Sequence, residues 1–368
     1  MVRIAIIGAG VVGAAIAYEL SLISGLDIIL LDEKEPATGS TGAALGVLMG
    51  VVSKRGWTLR QTSLERYETL IPELEGCTGK QIPYNRQGLI LLIPSEPEKQ
   101  QWEKHQALRH KQGYPLEIWN QSQLSQTCPQ LSPDAAIGAV YSPRDHQVNP
   151  TTLTQCLITA AQLNGVKCHF GTSINLTDSL TSFQDSVKHL DRIPTHQGNF
   201  AIDYLIVTAG LGTTALTQSL SQTVTIQPVL GQAIQVKLPQ PMGNADFQPV
   251  ISGDDVHIVP LGFGEYWVGA TVEFPSDNHE LIGDRELLEM VYQKAISFCP
   301  DLAQGEIVKT WSGKRPRPMN EPAPIIRELT GYNNVWLATG HYRNGVLLAP
   351  ATALAIKDKI LALINRLN

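Results

Sequence analysis

The stretch Arg3–Leu20, RIAIIGAGVVGAAIAYEL, admits two incompatible readings. As an export leader or membrane anchor it offers a basic residue, an apolar run and a cleavage-like Gly13-Ala14-Ala15. As the start of a nucleotide-binding fold it offers a strand, a glycine turn and a helix. No charge interrupts Ile4–Tyr18, but Glu19 ends the run. It therefore falls short of the ~20 apolar residues that span a bilayer. Gly8, Gly10 and Gly13 also break it, and glycine is a poor helix former in the middle of an apolar leader.

Those glycines are in G-x-G-x-x-G spacing behind the β-branched run Ile4–Ile7, and a helical pattern follows from Ala14 to Leu22. A second apolar run, Ile28–Leu31, ends in Asp32-Glu33, with Asp32 nineteen residues past Gly13. Alone, the glycine spacing says little; strand, glycines, helix, strand and acid in this order predict a dinucleotide site. Gly8 allows a tight turn, Gly10 lets backbone approach a pyrophosphate, and Gly13 lets helix and strand pack closely. The phosphates then face free N–H groups at the positive end of the helix. Asp32 is placed to accept hydrogen bonds from a ribose diol, and its charge disfavours a 2′-phosphate. The opening is read as a cofactor pocket.

The chain has 368 residues, enough for one large or two ordinary domains around a substantial core. With 43% hydrophobic and 17% charged residues the composition is that of a globular protein. A net charge of −6 argues against a nucleic-acid partner, which needs a basic face. Two local basic clusters run the other way: Lys104–Lys111, expected to be one solvated helix face, and Lys314-Arg315-Pro316-Arg317. The five cysteines are scattered, odd in number and without a CxxC. That suits a reducing, cytoplasmic compartment and neither a disulfide framework nor a zinc or other metal site. No membrane span, repeat or low-complexity tract is evident.

Beyond the opening unit, Ala37–Gly50 (ATGSTGAALGVLMG) is a loop of small and hydroxyl residues that can bring backbone close to a flat ligand. Leu59–Leu70 reads as an amphipathic helix, GLILLIP (88–94) as a strand and Glu96–Lys111 as a polar helix. Helical periodicity returns over 148–165 and leads into the strand VKCHFGTSI. DYLIVTAGLG (203–212) is a buried strand ending in a glycine turn. QPVLGQAIQVKL, DVHIVPLGFGEYWVGATVEF and GEIVKTWSGKRP alternate in period two and predict antiparallel strands. The tail is a strand, NVWLAT, a turn, GHYRNGV, and a helix to Asn365. The expected fold is α/β: a discontinuous Rossmann-like cofactor-binding domain (1–80, 146–215 and 311–368) with an inserted antiparallel-sheet substrate domain (81–145 and 216–310). No linker signal separates them, so one rigid interface with a ligand pocket is expected.

The set GAGVVG, LLDE, STGAALG, IVTAGLG, QPVLGQ, IVPLGFGEYWVGATVE, WSGKRP and GHYRNGVLLAPAT resembles the D-amino-acid oxidase superfamily of FAD enzymes. The subgroup it resembles is glycine oxidase, the type tied to thiamine biosynthesis. The likeness covers nearly the whole chain in order, and its last motif is the most specific. It implies FAD held through Gly8, Gly10, Val11, Val12 and Gly13, with Asp32 (Glu in most relatives) and Glu33 at the adenosine ribose. It places Ser40, Thr41, Ala43, Ala44 and Gly46 beside the pyrophosphate and isoalloxazine, and Ile174 at the adenine. Thr208, Ala209 and Gly210 then approach the ribose and phosphates, and Gly231 joins the cofactor set. Gly340, His341, Tyr342, Arg343, Asn344, Gly345, Val346 and Leu347 lie along the reactive edge of the flavin.

In the family the substrate is a small amino acid or amine whose carboxylate meets an arginine. Arg315 of GKRP and Arg343 of GHYRNG match the two arginine positions. Guanidinium suits that task because it binds carboxylate through two parallel hydrogen bonds and keeps its charge. Three departures fall near the expected substrate pocket: His257 replaces a tyrosine, Leu261 a basic residue, and Arg317–Glu321 a run of small residues. His257 and His341 are the histidines to consider for binding or proton traffic. The implied reaction is oxidative deamination by hydride transfer to flavin N5, giving an imine and then keto acid plus ammonia. Molecular oxygen is the expected acceptor, and the resemblance leaves room for a homo-oligomer. The alternatives are an FAD-dependent dehydrogenase passing electrons to a quinone or carrier, a nicotinamide dehydrogenase, and a non-catalytic flavin-binding module.

Overall fold

The computed structural model describes residues 1–178, 181–184, 187–196, 198–220, 222–275 and 281–367. Val2–Ile7 pairs in parallel with Leu26–Leu31 on one side and Tyr204–Val207 on the other. The six-stranded sheet runs Ile325–Glu328, Val335–Thr339, Tyr204–Val207, Val2–Ile7, Leu26–Leu31, Lys167–His169. Only its first edge strand is antiparallel. Its central strands are nearly continuous apolar runs because both faces are covered, as parallel sheets require. Ligands of such sheets bind beyond the carboxyl ends of the strands, where the glycine turn at Gly8–Gly10 lies.

The helix Val11–Ser21 is buried on almost every side, including Glu19. It packs against Pro150–Leu163 and the terminal helix Gly345–Leu367, which its alanines allow to approach closely. Trp57–Thr78 covers the same terminal helix. The opening stretch is thus strand, turn and helix inside a core, and the leader reading falls. No helix among the described residues is long and apolar enough to cross a membrane.

The second sheet has eight strands, in the order Glu306–Pro318, Ile226–Lys237, Glu265–Gly269, Val256–Gly262, Val250–Gly253, Leu89–Ile93, Gly138–Ser142, Glu117–Asn120. The three segments read as antiparallel pair that way. Where the two inserted stretches meet, Val250–Gly253 and Leu89–Ile93 pair in parallel. Glu306–Pro318 is one element paired along Ile226–Lys237 from Glu306 to Pro318. The expected boundary at 310/311 therefore cuts through a strand, and Trp311–Pro318 belong to this sheet.

Alternation gives the eight-stranded sheet two different faces. Ile90, Ile234, Val236, Ile251, Ile258 and Val268 pack with Val291, Ala295 and Phe298 of the helix Arg285–Phe298. The other face sends Leu89, Val250 and Val259 into the core shared with Val11–Ser21, Trp57–Thr78 and the terminal helix. The two sheets are therefore joined by one hydrophobic core. That second face also carries His257, Gly231, Gly313 and Arg315.

The helix Glu96–Lys111 forms over the expected residues, but its basic cluster is not one solvated face. Arg109 is 1% exposed, stacks 3.7 Å over Trp57 and donates to the Val51 and Ser53 carbonyls. His105 is also buried, on the Val51 carbonyl. A guanidinium and an imidazole satisfied by carbonyls can be buried where a lysine could not, and charge counting does not see that.

Candidate active site

At the glycine turn, Gly8 has φ +111°, and a Cβ there would sit 2.6 Å from the Thr208 carbonyl oxygen. A Cβ on Gly13 would strike the Gly8 carbonyl and lie 2.5 Å from Thr208 Oγ1. Gly10 differs: its Cβ would meet only Thr41 Oγ1, at 3.2 Å. Gly8 and Gly13 are therefore small for packing, and Gly10 leaves space open. Gly10 caps the helix Val11–Ser21 without a side-chain hydrogen bond, and the first turn holds no acid. Thr41 Oγ1 accepts the Val11 N–H at 3.1 Å. A buried helix start lined by glycine and one hydroxyl suits a pyrophosphate.

Asp32 stands at the end of the second strand, half-buried, accepting the Ala9 N–H at 2.6 Å and the Lys34 N–H at 2.9 Å. Its carboxylate keeps further lone pairs for a ribose diol. Glu33 points outward, 3.9 Å from Lys34. The Thr172 N–H donates to the Asp32 carbonyl, which brings the bridge residue Ile174 to the same end of the sheet. Thr208 Oγ1 donates within reach of the Ile7 and Gly8 carbonyls, and Ala209 and Gly210 open the turn that follows.

The small-residue loop lies against the second sheet. Ser40 Oγ donates to the Lys314 carbonyl at 2.6 Å, and Trp311 Nε1 to the Ala43 carbonyl at 3.1 Å. Ala43 occupies the space above Gly313, and Leu45 packs over Gly269. Gly46 has φ +74° and touches the Val148 carbonyl too closely for any Cβ. Ala44 is half-buried beside them. The stretch is thus pinned to strands more than 200 residues away in sequence.

Arg315 is the centre of the side expected to meet substrate. Its Nη1 donates to the carbonyls of Leu230 and Thr271, each at 3.1 Å. The guanidinium lies flat on Gly231, where a Cβ would be 2.5 Å from its Cζ. No carboxylate of the described residues forms an ion pair with it. Burial and the nearby Arg343 charge lower its pKa, while Tyr342 and Glu273 oppose them. Its remaining N–H donors make no hydrogen bond to the described residues. His257 shares this field: burial, then the charges of Arg343 and Arg315, push its pKa down to about 4. Its imidazole is neutral at ordinary pH, and the buried Nδ1 has no hydrogen-bond partner among the described residues. The structure thus gathers the three candidate catalytic residues from separate elements.

The turn after Val335–Thr339 holds the rest. Gly340 has φ +66° against Pro318, and Tyr342 has φ +53°. Arg343 is exposed. The side chain of Asn344 accepts from Arg60 Nη2 at 3.1 Å. Gly345 starts the terminal helix, whose first turn buries Val346 and Leu347, and Tyr67 donates to the Val346 carbonyl at 2.6 Å. His341 turns inward to Thr352 Oγ1 at 2.9 Å, and burial lowers its pKa to about 4. That side chain holds the turn to the helix.

Sequence reasoning missed two supporting groups. Glu273, 7% exposed, accepts from the Thr271 hydroxyl, Gln232 Nε2 (2.9 Å) and the Asp284 N–H (2.9 Å). It fixes the segment whose Thr271 carbonyl holds Arg315. Asp145, fully buried, accepts from the N–H groups of Gly50, Val51 and Val52 and so shapes the end of the small-residue loop. No local motif surrounds Asp145, and Glu273 closes the segment IVPLGFGEYWVGATVE, where it passes for a polar strand end.

These residues fit FAD: an open glycine at a buried helix start, a ribose-facing acid, and a loop and turn of small residues between two sheets. The comparisons with known proteins agree. The family model described as FAD dependent oxidoreductase matches residues 3–359. The glycine oxidase of Geobacillus kaustophilus is 28% identical over 362 residues, covering 97% of this chain and 92% of the relative. The bifunctional protein ThiO/ThiG of Trichormus variabilis is 30% identical, covering 97% of this chain but 52% of that longer protein. The crystal structure of glycine oxidase from Bacillus cereus superposes with a TM-score of 0.85 at 25% identity, over 98% of this chain and 95% of that one. The chain belongs to the FAD dependent oxidoreductase family, as an FAD-dependent oxidoreductase of amino acids or amines.

Proposed function

We propose that this enzyme oxidatively deaminates a small amino acid or secondary amine of the glycine, sarcosine or D-amino-acid type, with oxygen as acceptor. The observation that carries the reading is Arg315: a half-buried guanidinium seated on Gly231, repelled by Arg343 and forming no ion pair with a carboxylate of the described residues. A buried cation without a counter-ion is costly, and a substrate carboxylate relieves it. Glycine oxidases among the relatives support the substrate class.

FAD, when bound, would supply the electron sink for oxidation at the substrate α-carbon. Gly10, Thr41 and the start of the helix Val11–Ser21 would hold its pyrophosphate, and Asp32 its ribose. Arg315 binds the substrate carboxylate through its free donors, and Arg343 adds charge to the same region. His257, neutral above about pH 5 by its lowered pKa, offers Nδ1 to the amine without adding a third positive charge. Orientation by these groups supplies catalysis, and no side-chain base is required.

Replacing Arg315 tests the reading. Breaking a buried charge-assisted pair from one side costs about 3–5 kcal/mol. Arg315→Ala is therefore expected to lower kcat/KM by roughly a hundredfold to a few thousandfold. Arg315→Lys recovers only part, because an ammonium cannot make two parallel bonds. FAD content stays normal in both. A loss below about threefold on every amino acid tested removes Arg315 from the site.

A further inference from the structure

The sheet row through His257 continues to Ser252 and then to Leu91. At a strand spacing of about 4.8 Å, Leu91 lies roughly 10 Å from His257 across the sheet. Leu91 borders a cavity of about 400 Å³ that is also lined by Trp102, Lys54, Arg55 and Arg60. All hydrogen bonds made by these cationic side chains go to neutral groups. Lys54 Nζ reaches Gln101 Oε1 at 3.4 Å, and Arg60 reaches the Met49 and Arg55 carbonyls and Asn344. None forms an ion pair with a described carboxylate. The acid whose charge acts on Arg60 is Asp145, already committed to the backbone of Gly50, Val51 and Val52.

In a chain of net charge −6, three cations around one cavity with no anion among them form a local positive field. The bond from Arg60 to Asn344 ties the cavity to the turn that carries Arg343. We propose that this cavity is a subsite for a distal carboxylate of the substrate. The favoured amines are then amino acids whose N-substituent or side chain ends in a second acid. The α-carboxylate goes to Arg315 and the distal one to Lys54 and Arg55, with Trp102 beside the intervening methylenes.

This rests on the proposed amine oxidation, so the test has a kinetic arm and a binding arm, both on the FAD-loaded enzyme. The kinetic arm compares sarcosine with N-carboxymethyl-, N-(2-carboxyethyl)- and N-(3-carboxypropyl)glycine in wild type and Lys54→Ala/Arg55→Ala. Two lost charge contacts predict a rise in KM of about five- to tenfold for the favoured diacid, with kcat and the sarcosine KM unchanged. Equal effects on sarcosine and every diacid, or none on either, overturn the proposal. The binding arm titrates glutarate and acetate calorimetrically at low salt. Weaker glutarate binding in the double variant, with acetate unchanged, supports the subsite even if no amine is oxidised. Glutarate binding that ignores the double substitution overturns it.

Discussion

Gly231→Ala separates the position of Arg315 from its charge. The new methyl would sit 2.5 Å from Cζ of the guanidinium. Carbon contacts are comfortable at about 3.5–4.0 Å, so the guanidinium must move by roughly 1 Å or more. The obstacle is the end of a flexible side chain, and Gly231 has no left-handed φ, so the fold absorbs the change. Alanine is even favoured over glycine in a strand, by about 0.5–1 kcal/mol. The displaced side chain loses its seat between the Leu230 and Thr271 carbonyls. A misplacement of about 1 Å costs on the order of a hundredfold, near 2.7 kcal/mol, so kcat/KM should fall that far. The assay is anaerobic flavin reduction by stopped flow with glycine, sarcosine and D-alanine, alongside melting temperature and FAD content. Unchanged stability and FAD with the hundredfold loss is the expected result. A kcat/KM within threefold of wild type refutes the seat, and loss of FAD assigns the space over Gly231 to the cofactor instead.

Gly10→Val should fold but purify with little FAD, because only Thr41 Oγ1 stands near its Cβ and the side chain fills ligand space; the flavin-to-protein absorbance ratio checks it. Gly13→Ala meets the backbone of Gly8, so it should melt below even the FAD-stripped wild type, whereas Gly10→Val should melt near it. His341 has its folded pKa lowered to about 4, so its contribution is complete above the unfolded value near 6.5 and is lost as pH falls toward 4. The unfolded chain binds a proton that the fold refuses, which amounts to about 2 kcal/mol at pH 5. Urea midpoints at pH 7.5 and pH 5 should therefore differ less in His341→Gln than in wild type; equal differences count against the assignment.

Much of this molecule was legible without coordinates. The opening strand, turn and helix follow from residues close in sequence: β-branched runs, three glycines at fixed spacing and an acid at the next strand end. The same holds for the alternating segments that became the eight-stranded sheet. What failed were readings that treated local charge as exposure. Arg109 is buried because Val51 and Ser53, far away in sequence, present carbonyls to it. Separately, the expected boundary at 310/311 falls inside Glu306–Pro318, which answers to its partner strand along its whole length.

The candidate site divides in the same way. The amino-acid sequence by itself set a glycine turn and an acid in the order that predicts a dinucleotide site, and its resemblance to the oxidase superfamily pointed to Arg315 and Arg343. Only the tertiary structure decided that Gly231 seats Arg315, that Glu273 steadies the Thr271 segment, and that His257 stands neutral in the field of two arginines with Nδ1 unpaired among the described residues. The reason is range. Dihedral preference and periodicity act over a few residues and leave their mark in the order of the chain. Burial, desolvation and charge repulsion depend on groups that meet only after the sheets close over one core.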